Sequence, residues 1–155
     1  NTSATTPQGV IIQTTAASSD DNTHPFLECI DSTTARLYIW SDGDVQNHDN
    51  SYGAISDARL KTDVRNCNSQ WDDIKNLPVK KYKFISDGTD AVEHIGVIAQ
   101  EVMNQGYNGL VTHNEQDDMY SVQYSLIYMK AVKALQEALI VIDDLKARVE
   151  ALEAE

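Results

Sequence analysis

From Ser125 to Glu155 the chain reads SLIYMKAVKALQEALIVIDDLKARVEALEAE, without one glycine or proline. Strong helix formers fill it, so the spacing predicts one long helix. With Leu135 at heptad position a, Ala138 falls at d, Ile142 at a, Leu145 at d, Val149 at a and Leu152 at d. Lys146, Arg148 and Glu153 flank that seam on a broad polar face. A helix this long outruns the core that the rest of the chain offers it, so the stripe calls for other copies. We read a coiled coil over about 126–155. Branched residues at a with leucine at d lean toward two strands, whereas Ala138 with the extra apolar Leu139 and Val141 suits three.

The remaining residues suit one ordinary small domain and an appendage. A net charge of −12 argues against nucleic acid, whose phosphates need clustered lysine and arginine, and against anionic membrane surfaces. No apolar run has the length of a membrane span, and no charged-then-apolar leader opens the chain. Starting at Asn1 rather than Met, the sequence reads as a fragment or mature piece. Only Arg36 among the basic residues precedes Ser56, so two differently composed units meet near that serine. Cys29 and Cys67 lack metal-type spacing and read as two free thiols, buried or half-buried.

Residues 1–25 are rich in Thr, Ser, Ala and Asn around the apolar GVIIQ, and read as extended or poorly ordered unless covered by another chain. FLECI and ARLYIW are strands separated by DSTT, and SDGD marks a turn. So few strands need support from copies of themselves or from more protein upstream. After Ser56, SDARLKTDV is able to open a helix. SQWDDIKNLPV is a helix closed by Pro78, with Trp71, Ile74 and Leu77 at helical spacing. KKYKFIS is a strand with Tyr82 and Phe84 on one face, and SDGTD a turn. HIGVIAQEVMNQG leads into a short helix ended by Gly106, and GLVTHNEQDDMYSVQY is a hairpin with NEQDD at its tip.

Several candidate sites fail. DGDVQNHD is acidic like a calcium loop, but Gln46 and Asn47 stand where a ligand and the turn glycine belong. His24, His48, His94 and His113 are scattered, and the acidic residues nominate no catalytic pair. No phosphate-cradling glycine loop or nucleophile elbow occurs. Neither a metal nor a cofactor is expected. SDARLK remains. Ser-Asp before it reads most simply as a helix N-cap with an acidic first turn. Ser56 acts as a nucleophile only with a neutral Lys61, which requires burial or a cationic neighbour such as Arg59 or Arg65. Five positions along a regular helix point the two side chains apart. Ser56 must therefore precede the helix, or the lysine must come from another subunit.

SDARLK, DIKNLPVKKYKF, HIGVIAQEV and YSVQYSLI, running in that order into a heptad helix, resemble the C-terminal intramolecular chaperone domain of phage tail fibres, tailspikes and neck appendages. The domain also occurs in bacteriophage endosialidases and in a eukaryotic membrane-bound transcription factor; the acidic balance and lack of a membrane helix disfavour the latter here. The similarity covers roughly residues 51–155, and ARLYIWSDGDVQNHDNSYGAI is similar to the end of a fibre stem.

The resemblance implies an α+β chain. Residues 1–55 would be the end of a β-rich, intertwined stem, and residues 56–155 a small mixed domain with a long coiled-coil helix, trimeric as a whole. It implies that the domain trimerises, folds its own upstream stem, and then cuts itself free at Ile55–Ser56. Ser56 would be the nucleophile, Lys61 its base, and Asp57 a support of the site. Leu135, Ala138, Ile142, Leu145, Val149 and Leu152 would hold the homotrimer. The stem would belong to a virion tail fibre assembled in a bacterial cytoplasm, with the chaperone fragment released. The competing reading is a non-cleaving trimerisation and tip module of a viral fibre.

Overall fold

The computed structural model describes residues 10–13, 23–85 and 92–154. The chain divides into two units, Asn1–Thr62 and Asp63–Glu155. It is mixed α and β, with three small sheets and one long C-terminal helix.

The first unit is built on an antiparallel sheet in the order β1 (Pro25–Ile30), β2 (Ala35–Trp40), β3 (Val45–Asn47). FLECI and ARLYIW are strands as expected, and they pair, with Glu28 opposite Tyr38 and Cys29 opposite Leu37. Between them Asp31 accepts hydrogen bonds from the Thr33 and Thr34 amides and an ion pair from Arg36. The Thr33 amide first, then Arg36 and the Thr34 amide, hold that carboxyl down at about 2. SDGD turns as its composition implies, with Gly43 left-handed at φ 94°. Val45–Asn47, inside the rejected calcium-like stretch, is strand. Among the described residues no side chain of this sheet is fully buried. Two and three short strands leave too little apolar area in contact, as their lengths foretold. Of residues 1–25, Val10–Gln13 form no regular element; the extended reading of residues 1–9 and 14–22 lies outside the described residues.

Among the described residues the buried side chains lie in the second unit. Helix α1 (Trp71–Lys75) leads through Pro78 into β4 (Val79–Tyr82), which pairs antiparallel with β5 (His94–Val97). Then come α2 (Ala99–Asn104), a 3-10 turn at Asn108–Leu110, and the hairpin of β6 (Val111–Asn114) and β7 (Met119–Val122). The expected turn at residues 86–90 lies outside the described residues. Helix α3 (Tyr124–Glu153) closes the chain. Val97, Val102, Leu110 and Ile127 form the core, with Ile74 and Leu77 packed against it.

Trp71 and Ile74 lie on a helix as expected, while Leu77 falls beyond its end and Phe84 beyond the strand expected to hold it. Trp71 is 40% exposed, because α1 has barely more than one turn and its Ile74–Leu77 side alone reaches the core. β4 ends at Tyr82, so Phe84 lies beyond the strand, packed edge-on against the Tyr82 ring at 5.5 Å. Cys29 and Cys67 are free but exposed rather than buried.

Gly96 on β5 is enclosed by aromatic groups. A Cβ there would stand 2.5 Å from the Tyr124 hydroxyl and 3.2 Å from the Tyr82 ring. The Tyr124 hydroxyl accepts from the Val97 amide at 3.2 Å, tying the start of α3 to β5. Gly96→Ala is expected to cost about 1–3 kcal/mol through overpacking and loss of that bond, measured as a lower urea midpoint.

A polar network joins α1 to α3. Glu137 accepts from the Ser69 hydroxyl at 3.0 Å and the Gln70 amide at 3.3 Å, and pairs with Lys133. It thereby caps a helix start whose own N-cap side chain makes no capping bond. Burial would raise the Glu137 pKa, but the bonds from Ser69, Gln70 and Lys133 outweigh it and leave it lowered. A carboxylate with a lowered folded pKa stabilises above its unfolded value of 4.5 and loses that contribution as pH falls below it. Glu137→Gln is therefore expected to lower the thermal midpoint by several degrees at pH 7, with the gap to wild type narrowing as pH drops below about 4.5. An unchanged gap at low pH would show that the ionised form carries no special weight.

Candidate functional site

SDARLK does not open a regular helix. Only Ala58–Leu60 turn, as one 3-10 turn, and Lys61 after it is already extended. No residue of the turn is buried, so no apolar face pulls it into further turns. Asp57, not Ser56, is the N-cap: its Oδ1 accepts from the Arg59 amide at 2.9 Å. The Ser-Asp pair therefore splits its tasks, and Ser56 is left outside the cap.

The consequence is geometric. Ser56 precedes the turn and Lys61 follows it, and the Lys61 Nζ donates to the Ser56 Oγ at 2.5 Å. A regular helix would have separated these side chains; a single tight turn brings them together. Both are exposed, and Ile55 on the amino side of the bond is 87% exposed.

Arg59 does not serve as a free cation beside Lys61. Its Nε and terminal nitrogen grip the Asp57 carboxylate at 3.0 and 2.6 Å. That side-chain bond first, and the Arg59 amide second, hold the Asp57 carboxyl below its usual range, while Arg59 is raised in turn. The guanidinium charge is spent on Asp57, so it offers Lys61 little repulsion. Arg65 falls in the second unit.

The other expected residues lie elsewhere. On α3, Leu135, Ile142, Leu145, Val149 and Leu152 are exposed, and Ala138 is half-buried. The helix covers its own domain with Ile127 and Ala134, one residue before heptad a positions and bordering the seam on its d side. His113 stacks on Tyr120 and bonds Asp118; His48 bonds Asp49. A groove beside α3, lined by Cys67, Tyr107, Leu110 and Met129, has Lys130 at its edge. That lysine already bonds Gln70 and Asp73, so its role is structural. Among the described residues no cluster of His, Cys, Asp or Glu suits a metal ion.

Sequence reasoning weighed Asp57 only as a support and Arg59 only as a charge. It missed the bond between them, although an acid followed two residues later by arginine at a helix start was a legible signal. It also missed Tyr52, whose hydroxyl donates to the Val45 carbonyl at 3.0 Å. Nothing in the sequence links those two positions.

Residues 56–107 match the family model described as chaperone of endosialidase, a peptidase family. The match begins at Ser56 itself and stops short of the YSVQYSLI block and the heptad helix. No curated protein matches the chain.

Proposed function

Starting from that match of residues 56–107 to the chaperone of endosialidase, we propose that the chain is a self-releasing intramolecular chaperone at the end of a phage tail fibre or tailspike. Three copies zip along α3 through the exposed Leu135, Ala138, Ile142, Leu145, Val149 and Leu152 seam, bringing three upstream stems into register. Interwound strands have long sequence separations and fold slowly, so a fast local trimeriser lowers the entropy of pairing them. The domain then cuts itself off at Ile55–Ser56, and the stem keeps a fold it has no easy route to leave.

The observation that carries this reading is the Lys61 Nζ to Ser56 Oγ hydrogen bond, 2.5 Å long, at the residue where the family match begins. In the proposed reaction neutral Lys61 takes the hydroxyl proton, and Ser56 Oγ bonds to the Ile55 carbonyl carbon. The Ile55 C–N bond breaks, and the proton passes from Lys61 to the leaving Ser56 nitrogen. Water next adds to the resulting ester, giving the Ile55 carboxylate and restoring the Ser56 hydroxyl. The attacking oxygen and the carbonyl are on adjacent residues, so effective concentration is very high. Each chain turns over once. No metal or cofactor enters.

Exposure of Lys61 supports a further element. Covering of Lys61 by a neighbouring copy would complete the site and make cleavage report assembly. The same exposure is what favours the second reading, a non-cleaving trimerisation and tip module. Intact mass of the expressed chain, beside Ser56→Ala, separates the two. Two fragments meeting at Ile55–Ser56 support cleavage; an uncut trimer supports the tip module.

A further inference from the structure

Resting on the self-cleavage reading, the geometry points to Tyr52 and Arg59 as positioning residues that hold the two sides of the Ile55–Ser56 bond. Neither touches the reacting atoms. On the amino side, the chain leaves β3 and reverses at Asn50, which is left-handed at φ 48°. Asn47 Oδ1 accepts from the Ser51 amide at 3.1 Å, and Tyr52 then pins the chain back to the Val45 carbonyl at 3.0 Å. From Gly53 to Ser56 no regular element intervenes.

On the carboxyl side Arg59 makes a forked grip on Asp57 with two nitrogens, while its amide bonds the same carboxylate. Such a fork fixes direction as well as distance. It sets the curvature of the 3-10 turn, and that curvature decides whether Lys61 arrives at Ser56. The scissile bond thus lies on a short free stretch between two anchors. Attack on a neighbouring carbonyl depends on that stretch being held close to one conformation.

All of these groups lie within the first unit, with the sheet that precedes the cut. The acceptor for Tyr52 is the first residue of β3, the last strand of that sheet. The amino-side anchor therefore exists only once β3 is in place, which couples cleavage to folding of the upstream strands through one hydroxyl.

The test is the first-order rate of self-cleavage of the full folded chain, followed by intact mass. Wild type, Tyr52→Phe, Arg59→Ala and Arg59→Lys would be compared after circular dichroism shows equal helicity. Tyr52→Phe, which loses only the hydroxyl, is expected to cut about three- to tenfold more slowly. Arg59→Ala is expected to slow about tenfold or more, and Arg59→Lys, which keeps the charge without the fork, to lie between. Guanidinium far below denaturing concentration is expected to speed Arg59→Ala relative to equal sodium chloride, and to leave Tyr52→Phe unchanged. A purely structural role would give no such rescue. Wild type that never cuts would sink the self-cleavage reading itself. Wild type that cuts, with Tyr52→Phe and Arg59→Ala within about twofold of it and no rescue, would overturn only the positioning roles.

Discussion

Ser56→Ala is expected to leave the chain at full mass under conditions where wild type yields two fragments joined at Ile55–Ser56. The alanine keeps the backbone and removes only the oxygen that would attack. Asp57 rather than Ser56 caps the 3-10 turn, so the substitution removes no capping bond and the fold should persist. That independence makes the variant informative: loss of cutting cannot be charged to loss of the turn. Lys61→Ala is expected to slow cleavage by about 10²–10⁴, the usual worth of a positioned base. Lys61→Arg sharpens the point. Arginine keeps a charge and donors but never becomes neutral, so it too should fail to cut. Cleavage at near wild-type rate by Lys61→Arg would show that the bond at 2.5 Å orients Ser56 without taking its proton.

The second large effect is on assembly. Changing Ile142, Leu145 and Val149 together to glutamine is expected to turn an oligomer into a monomer by light scattering. Each of the three is 43–51% exposed in the single chain, so the stripe gives this chain little on its own. Buried between copies, each would contribute about 1.5–3 kcal/mol, and a trimer would bury nine such side chains. Glutamine is a good helix former, so α3 itself should survive. Helicity unchanged with association lost is the expected pair of results. An oligomer that persists would place the interface elsewhere than the heptad seam. The same variant examines timing, because cleavage by the resulting monomer would rule out a site completed by assembly.

The legible parts of this protein are those whose signal is local. ARLYIW and the hairpin around NEQDD declare themselves by alternation and turn residues, and they form β2, and β6 with β7, whereas HIGV, read as the apolar entry to a helix, forms β5. The C-terminal helix needs only its composition. Leu77 and Phe84 were expected inside elements that stop short of them, because periodicity says which residues share a face but not how far the element lasts. Glu137 capping α1 from a site 67 residues away had no sequence signal, since nothing local distinguishes it from other surface acids.

By itself the sequence determined β1, β2, the β6–β7 hairpin, the long α3 with its exposed stripe and the nomination of Ser56 with Lys61, because spacing and residue type act over a few positions. Tertiary structure decided whether that pair meets. A full helical turn at SDARLK would have carried Lys61 away; a single 3-10 turn, clamped by Arg59 on Asp57 and lacking a buried face to lengthen it, brings the amine back to the hydroxyl. The difference lies in a few backbone angles that propensity cannot resolve, and that only the bonds around them fix.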